Sequence, residues 1–191
     1  LDQRISDANS FVGCAANHEQ ERLNSQKGIT LVKNENNLLP LKPASGDKIL
    51  CITELENTPN AFTCEIARLQ NLGIIPKDID LKVLTFEKKS TDELNAIYAE
   101  IPDSQHIIIC TNLKSNDELL PNSNEMSYSA FADQIFSKAQ SLGKPTVHLA
   151  SGLPYDSVRY ASNAEVLSYN GSAFNVDAQG NPTGNYGPAI P

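Results

Sequence analysis

Five short apolar runs, separated by segments with helical periodicity, constrain the fold of this chain most strongly. The runs cover residues 48–53, 81–86, 106–110, 146–150 and 165–169. Regular alternation of short apolar runs with helices is typical of parallel βαβ units, in which helices cover both faces of the sheet. The sequence therefore predicts an α/β fold, a three-layer α/β/α sandwich around a mostly parallel, doubly wound sheet of about five or six strands.

The segments between the runs predict crossover helices. Thr58 can cap the first helix, with Pro59 at its first position and Gly73 at its exit, and Ser90 with Glu93 forms a capping box for the second. The predicted apolar stripes are Phe62, Ile66, Leu69 and Leu72 in the first helix, Leu94, Ile97, Tyr98 and Ile101 in the second, and Phe131, Ile135, Ala139 and Leu142 in the third. Before the last run, Asp156 is predicted to cap a brief helix that extends through Arg159.

The amino-terminal part of the chain predicts a separate element. Residues 1–27 read as a mostly polar helix with an incomplete apolar face, and residues 28–191 as the α/β domain. Leu31 and Val32 are predicted to continue the apolar face of that helix. Pro40 then places Leu39 in an extended conformation and turns the neighbouring leucines inward.

Composition excludes several classes of function. A formal net charge of −8 with scattered basic residues argues against a nucleic-acid partner, which needs clustered Lys and Arg. No apolar run approaches the roughly 20 residues of a membrane span. The histidines and cysteines show no metal-ligand spacing, so no metal and no cofactor are predicted. Cys14, Cys51, Cys64 and Cys110 are best explained as free thiols, with pairing left open.

Candidate chemistry is expected in the loops that follow the strands, where doubly wound sheets bind ligands. The loop at 53–60 contains no glycine, which disfavours a phosphate-binding turn. Cys110 ends a predicted strand where a thiol nucleophile could stand, with His148 as its base, but its neighbours lack the glycines of a sharp nucleophile turn. Glu118 and Glu125 are interpreted as a solvated loop face.

Several stretches resemble one family. The segment at 28–41 (GITLVKNENNLLPL), the strand and turn at 143–156 (GKPTVHLASGLPYD), the strand at 166–169 with Asn170 and Gly171, and the segment at 185–191 are similar to the second domain of glycoside hydrolase family 3. Within that family they most resemble the two-domain β-N-acetylhexosaminidase branch. The resemblance covers most of the chain from about Gln26 onward.

The resemblance implies a parent enzyme whose catalytic groups lie elsewhere. In this family an amino-terminal TIM-like barrel carries the nucleophilic aspartate, and in the hexosaminidase branch a barrel-loop histidine and aspartate act as acid and base. The implied parent reaction is retaining hydrolysis of terminal β-linked N-acetylglucosamine, plausibly from peptidoglycan or chitin fragments. The implied partners of this chain are the barrel and, through the parent, the amino sugar. A bacterial cell-envelope or secreted location is the expectation for that parent.

Three departures from the family pattern shape the prediction. Residues 111–115 (TNLKS) lack the glutamate that β-glucosidase members contribute from this loop, which favours the hexosaminidase branch. Leu153 stands where many members have arginine, and the chain ends at Pro191, before the last helix and strand of the family. The chain is thus expected to be a piece of the domain without catalytic residues. Two alternatives stay open, a stand-alone binding or scaffolding module and a thiol enzyme that uses Cys110.

Overall fold

A six-stranded sheet organises the structure. This computed structural model describes residues 3–4, 7, 11, 14–54, 58–86, 88–113, 119 and 128–168. The strands are β1 (Thr30–Asn34), β2 (Lys48–Thr53), β3 (Asp80–Thr85), β4 (His106–Thr111), β5 (Thr146–Ala150) and β6 (Ala164–Leu167). The helices are α1 (Ala15–Gly28), α2 (Thr58–Asn71), α3 (Thr91–Glu100) and α4 (Tyr128–Ser141).

The strand order in the sheet is β1-β6-β5-β4-β2-β3. Strands β2 to β6 are parallel, and β1 alone of the six runs antiparallel, against β6. All five predicted runs are strands, and the mostly parallel α/β architecture is confirmed. The order reverses direction at β2, because β3 lies on one side of it and β4 on the other.

Helices lie on both faces of the sheet. Right-handed crossovers place the α2 connection on the face opposite to α3 and α4, because the strand order reverses between them. The packing agrees, since Leu50 and Ile52 of β2 share one buried cluster with α3 and α4 residues, and α2 supplies none of its members. That cluster is the main core, formed by Leu50, Ile52, Phe86, Leu94, Ile97, Ile101, Ile107, Ile109, Leu113, Phe131, Ala132, Ile135, Phe136, Ala139 and Tyr160.

The prediction that Leu31 and Val32 continue a helix is wrong. Both belong to β1, and Leu31 pairs with Val166 of β6. The helix already ends at Gly28, and the β-branched and apolar residues that follow suit an extended edge strand. Their side chains are 53% and 39% exposed, so this apolar strand is not covered by the rest of the described chain.

The three predicted crossover helices are present, but two of them end before the last residue of the predicted apolar stripe. Ser90 and Glu93 form the expected capping box. Leu72 and Leu142 follow the last residues of α2 and α4 and are 59% and 41% exposed, so these two positions of the predicted stripes are wrong. Helix α2 begins at Thr58. The Thr58 side chain is not among the described ones, so its predicted role as a cap stays a prediction.

Helix α1 has little apolar surface with which to pack against the rest of the described chain. It has almost no amphipathic character, as the sequence suggested, and Phe11 and Leu23 near it are 71% and 37% exposed. The boundary between 1–27 and 28–191 stays a prediction. Within the residues that the structure describes, no helix has both the length and the apolar character to cross a bilayer.

Candidate functional site

The carboxyl ends of β4 and β5 meet in a tightly joined pair of segments. Ser151 donates from its backbone N–H and from its hydroxyl to the carbonyl oxygen of Thr111, at 2.8 Å each. The Leu153 N–H donates to the Leu113 carbonyl oxygen at 2.8 Å. The loop after β5 therefore extends the pairing of the two strands beyond the sheet edge.

Glycine at position 152 is required by this close approach. A Cβ atom there would lie 2.3 Å from the Leu113 carbonyl oxygen and 2.7 Å from the Asn112 side-chain oxygen. Contacts this short with backbone do not occur for real Cβ atoms, so only glycine fits.

Beneath this loop lies a cluster of four polar side chains, which we name the buried polar cluster: Thr111, His148, Asp156 and Glu165. The Thr111 Oγ1 lies 2.8 Å from the His148 Nε2 and 2.7 Å from the Asp156 Oδ2. The other ring nitrogen, His148 Nδ1, lies 3.6 Å from the Glu165 Oε1. All four residues are no more than 1% exposed.

The strand register explains why these side chains meet. His148 pairs with Ile109 on one side and with Glu165 on the other, and Thr111 lies two residues beyond Ile109 on the same face. That face is the one covered by α4. The Phe136 ring of α4 stacks on Tyr160, and both rings meet the His148 imidazole edge-on.

The pKa values of the two carboxyl groups, Asp156 and Glu165, shift in opposite directions. Burial raises the pKa of Asp156 above its ordinary value, and the Thr111 hydroxyl and the His148 ring only partly counter it. Burial would raise the pKa of Glu165 too, but the His148 ring, the Val158 N–H and the Ser157 side chain together hold that pKa below its ordinary value. Glu165 is thus the better stabilised carboxylate.

The predicted cap role of Asp156 is wrong. A 3-10 helix covers Pro154–Asp156, and the Asp156 side chain turns inward to Thr111 instead of capping a following helix. Downstream, Val158 has a φ of 54° and a side chain that is 72% exposed. Its N–H donates to both Glu165 carboxylate oxygens at 3.0 Å. The buried glutamate therefore holds a β-branched residue in the left-handed region, where such residues are strained.

Relief of this strain gives a measurable prediction. Val158→Gly is expected to raise the free energy of unfolding by about 1 kcal/mol, because glycine adopts positive φ without steric cost and little buried surface is lost. Urea unfolding followed by circular dichroism measures the change. The same substitution in the β1 strand, Val32→Gly, is the control and should destabilise. A loss of stability in Val158→Gly would show that its backbone is not strained.

The structure does not bring the Cys110 and His148 side chains together. Cys110 pairs with Leu149 in the register and His148 with Ile109, so the two side chains project from opposite faces of the sheet. Cys110 is 3% exposed, and burial raises the pKa of its thiol to about 11. A thiol nucleophile needs access and a lowered pKa. The thiol-enzyme alternative is therefore contradicted by the position of Cys110.

Thiol labelling checks this conclusion. In the folded chain at pH 8, Cys51 and Cys110 are expected to resist a thiol reagent, because both are buried and burial raises the pKa of Cys51 to about 12. Cys14 and Cys64 are partly exposed and should react. Mass spectrometry after brief alkylation identifies the labelled positions, and guanidinium should expose the remaining two. Rapid labelling of Cys110 in the native chain would contradict its burial.

The sequence interpretation missed the buried polar cluster, although it noticed His148. A usable signal was present, since Thr111, His148 and Glu165 are polar residues inside otherwise apolar runs. In the part of the chain that is described, no group of three or more His, Cys, Asp or Glu could hold a metal ion.

The Thr111 hydroxyl lies between the His148 imidazole and the Asp156 carboxyl group, and the same three groups form the nucleophile, base and orienting acid of some enzymes. Its complete burial, however, keeps substrate away, so this cluster organises the loop.

The sequence matches no protein-family model and no curated protein sequence. Solved structures share the fold. A fungal multi-domain GH3 β-N-acetylglucosaminidase matches with a TM-score of 0.57 and 21% identity over 82% of this chain and 16% of its own. A β-glucosidase from Erythrobacter marinus gives 0.62 and 14%, over 85% of this chain and 27% of its own. The Listeria innocua β-glucosidase bound to gluconolactone gives 0.57 and 17%, over 85% and 24%.

At these identities the likeness shows the fold alone. The chain spans between 16% and 27% of the length of these three proteins, so the fold recurs as one part of much longer chains. The sequence segments at 114–118, 170–171 and 185–191, which also entered the predictions, lie outside the described residues, as do Glu118 and Glu125.

Proposed function

We propose that this chain is the supporting second domain of a family 3 glycoside hydrolase. Its role is to pack against a catalytic barrel and shape the cleft, and the groups that break the glycosidic bond belong to that barrel. The observation that carries the proposal is that 82% to 85% of this chain corresponds to a minor part of larger glycosidase chains. The family motifs around residues 28–41 and 143–156 support the same assignment.

An exposed apolar strip supports packing against another domain. Ile29, Leu31 and Val32 lie at the β1 edge of the sheet, where they are 50%, 53% and 39% exposed. Exposed apolar residues clustered at an edge strand favour association, and proteins normally cover such an edge. We assign this strip to the interface with the barrel.

For the parent reaction we propose retaining hydrolysis of terminal β-linked N-acetylglucosamine. The resemblance of the motifs to the hexosaminidase branch supports this substrate, as does the absence of glutamate from residues 111–115, where β-glucosidase members contribute one. Of residues 111–115 the structure describes Thr111, Asn112 and Leu113, and the Thr111 hydroxyl contacts His148 within the buried polar cluster. In a retaining mechanism an aspartate of the barrel forms the glycosyl-enzyme intermediate, which water then hydrolyses.

The reading frame upstream of Leu1 tests the domain assignment. A barrel-coding segment with a histidine-bearing loop is expected there. The longer protein, once produced, should hydrolyse 4-nitrophenyl N-acetyl-β-glucosaminide in preference to the β-glucoside. Preference for the glucoside would refute the substrate assignment, and a frame without any barrel would favour the stand-alone binding or scaffolding module.

Paired substitutions in the same longer protein test the interface. Leu31→Glu is expected to leave the stability of the 191-residue chain within about 0.5 kcal/mol, because the residue is half-exposed there. In the longer protein the same change should lower the thermal midpoint, since it buries a charge at the interface. Leu72→Glu at the opposite side of the domain is the matched control and should be silent in both. Equal effects of the two changes in the longer protein would contradict the assigned interface.

A further inference from the structure

The segment from Ser151 to Tyr160, which we name the 151–160 loop, is fastened to the sheet by the buried polar cluster. Asp156 anchors its middle through the Thr111 hydroxyl, and Glu165 anchors its end through the Val158 N–H. Tyr160 closes the loop by stacking on Phe136 with its ring at 4.8 Å. The attachment of this loop therefore depends on where the protons of the cluster reside.

Hydrogen-bond geometry leaves two proton arrangements once a neutral ring protonated on Nε2 is set aside. That tautomer would point the bare Nδ1 at the Glu165 Oε1, 3.6 Å away, and the two acceptors would repel each other. Burial disfavours a charge on Glu165, but the His148 ring and the Val158 N–H, which Glu165 accepts on both oxygens, hold its pKa below the ordinary value, so it is ionised in either case. In one arrangement Asp156 is ionised, the Thr111 hydroxyl donates to it, and a doubly protonated His148 donates from Nε2 to Thr111. In the other, protonated Asp156 donates to Thr111, Thr111 donates to the His148 Nε2, and the neutral ring keeps its proton on Nδ1, towards Glu165.

The two arrangements contain the same number of protons and the same net charge of −1. Moving two hydrogens along the chain from Asp156 through Thr111 to His148 converts one into the other. They differ in charge separation, because the first buries three charged groups and the second only one. Buried charges are costly unless fully paired. Neither the Asp156 Oδ1 nor the His148 Nδ1 has a hydrogen-bond partner among the described residues. The unpaired oxygen disfavours an ionised Asp156, and a proton on Nδ1 faces the Glu165 carboxylate at 3.6 Å as an electrostatic contact longer than a hydrogen bond.

We propose that the buried polar cluster is a proton-dependent latch for the 151–160 loop, in which a protonated Asp156 and an ionised Glu165 together keep the loop closed. Thr111 and a neutral His148 connect the two carboxyl groups. The proposal concerns this chain itself and does not depend on the glycosidase assignment.

The latch predicts a closed loop over a bounded pH range. The lowered pKa of Glu165 means that its contribution is present above the ordinary value of 4.5 and is lost as the pH falls through the lowered one. The raised pKa of Asp156 means that its proton, which favours the closed form, is lost as the pH rises through that raised value. The other charged groups near the loop act on the Tyr160 phenol: Glu54 after β2, Asp133 on α4 and Arg159 in the loop.

Trypsin cleavage after Arg159 measures loop opening. Arg159 is exposed, but the next residue, Tyr160, is only 4% exposed, so cleavage requires that the loop leave the sheet. In the 191-residue chain at pH 7.5, Glu165→Gln should raise this cleavage rate about tenfold or more, because an amide cannot replace a carboxylate that accepts several donors. Asp156→Asn should stay within about threefold of the parent rate, since the amide donates to Thr111 as the protonated acid does.

Asp47→Asn is the matched control, because the Asp47 carboxylate lies 3.1 Å from the His106 ring at the amino-terminal ends of β2 and β4, away from the loop. It should leave cleavage after Arg159 unchanged. Similar acceleration by Asp156→Asn and Glu165→Gln would overturn the proposal, because it would show that Asp156 acts as an ionised partner of His148.

Spectroscopy of the parent chain gives a second readout. Infrared spectra recorded from pH 4.5 upward should contain a carbonyl band of a protonated carboxylic acid that is lost as the pH rises through the raised pKa of Asp156, and Asp156→Asn should lack this band. Nitrogen chemical shifts of His148 should report a neutral ring protonated at Nδ1. A doubly protonated ring wherever the acid band is present, or no protonated carboxyl group at any of these pH values, would refute the latch as described.

Discussion

Replacing Phe131 by alanine is expected to lower the free energy of unfolding by about 3–5 kcal/mol, the range found for large-to-small changes at fully buried aromatic positions. Phe131 is fully buried on α4, and its ring stacks on that of Phe86 with 5.4 Å between centroids. The substitution opens a cavity between α4 and the segment after β3, which the surrounding core fills only in part. Denaturant unfolding with a fitted slope measures the loss.

A matched substitution separates burial from chemistry. Phe11→Ala removes the same side chain from a position that is 71% exposed and should change the free energy of unfolding by less than about 0.5 kcal/mol. If the two variants lose similar stability, the core around α4 is not packed as described.

Gly152→Ala is the second substitution with a large expected effect. The added Cβ meets the backbone of Leu113 and the Asn112 side chain. Because most of these atoms belong to the backbone and cannot rotate away, the 151–160 loop must separate from the end of β4. Overpacking of this kind costs about 1–3 kcal/mol or more, and the rigid obstacle puts this site at the upper end. A drop in thermal midpoint together with faster cleavage after Arg159 is expected, since the same movement frees the 151–160 loop.

Gly28→Ala provides the control for this prediction, because a Cβ atom at that position meets nothing within 4 Å. Its stability should stay within about 0.5 kcal/mol of the parent or improve slightly, as alanine favours helix over glycine. Equal tolerance of alanine at positions 28 and 152 would contradict the close approach of the loop to β4.

The sequence was sufficient to predict the parallel strands, because each buried run combines a length of four to six residues with flanking helical segments. It failed at β1, where Leu31 and Val32 follow a helix directly and pair with a strand more than 130 residues later. A short apolar run has no periodicity of its own that separates a helix end from a strand. The deciding contact is tertiary, and no local pattern encodes it.

Asp156 and His148 illustrate a different limit. An aspartate in a turn before a short helical segment satisfies the local rule for a cap, and a single strand histidine gives no hint of its partners. The structure pairs both with Thr111 because the register of β4 and β5 brings the strand ends together. Which polar residues of separate strands meet depends on strand order and register, and neither can be read from the chain alone.

We propose that this domain supports catalysis performed by groups outside it. Incubation of the pure 191-residue chain with 4-nitrophenyl N-acetyl-β-glucosaminide tests this claim most directly, with the β-glucoside run in parallel. We expect no release of nitrophenol above the buffer blank. Turnover that increases with chain concentration and survives repurification would show that the chain holds its own catalytic groups, and it would contradict the account.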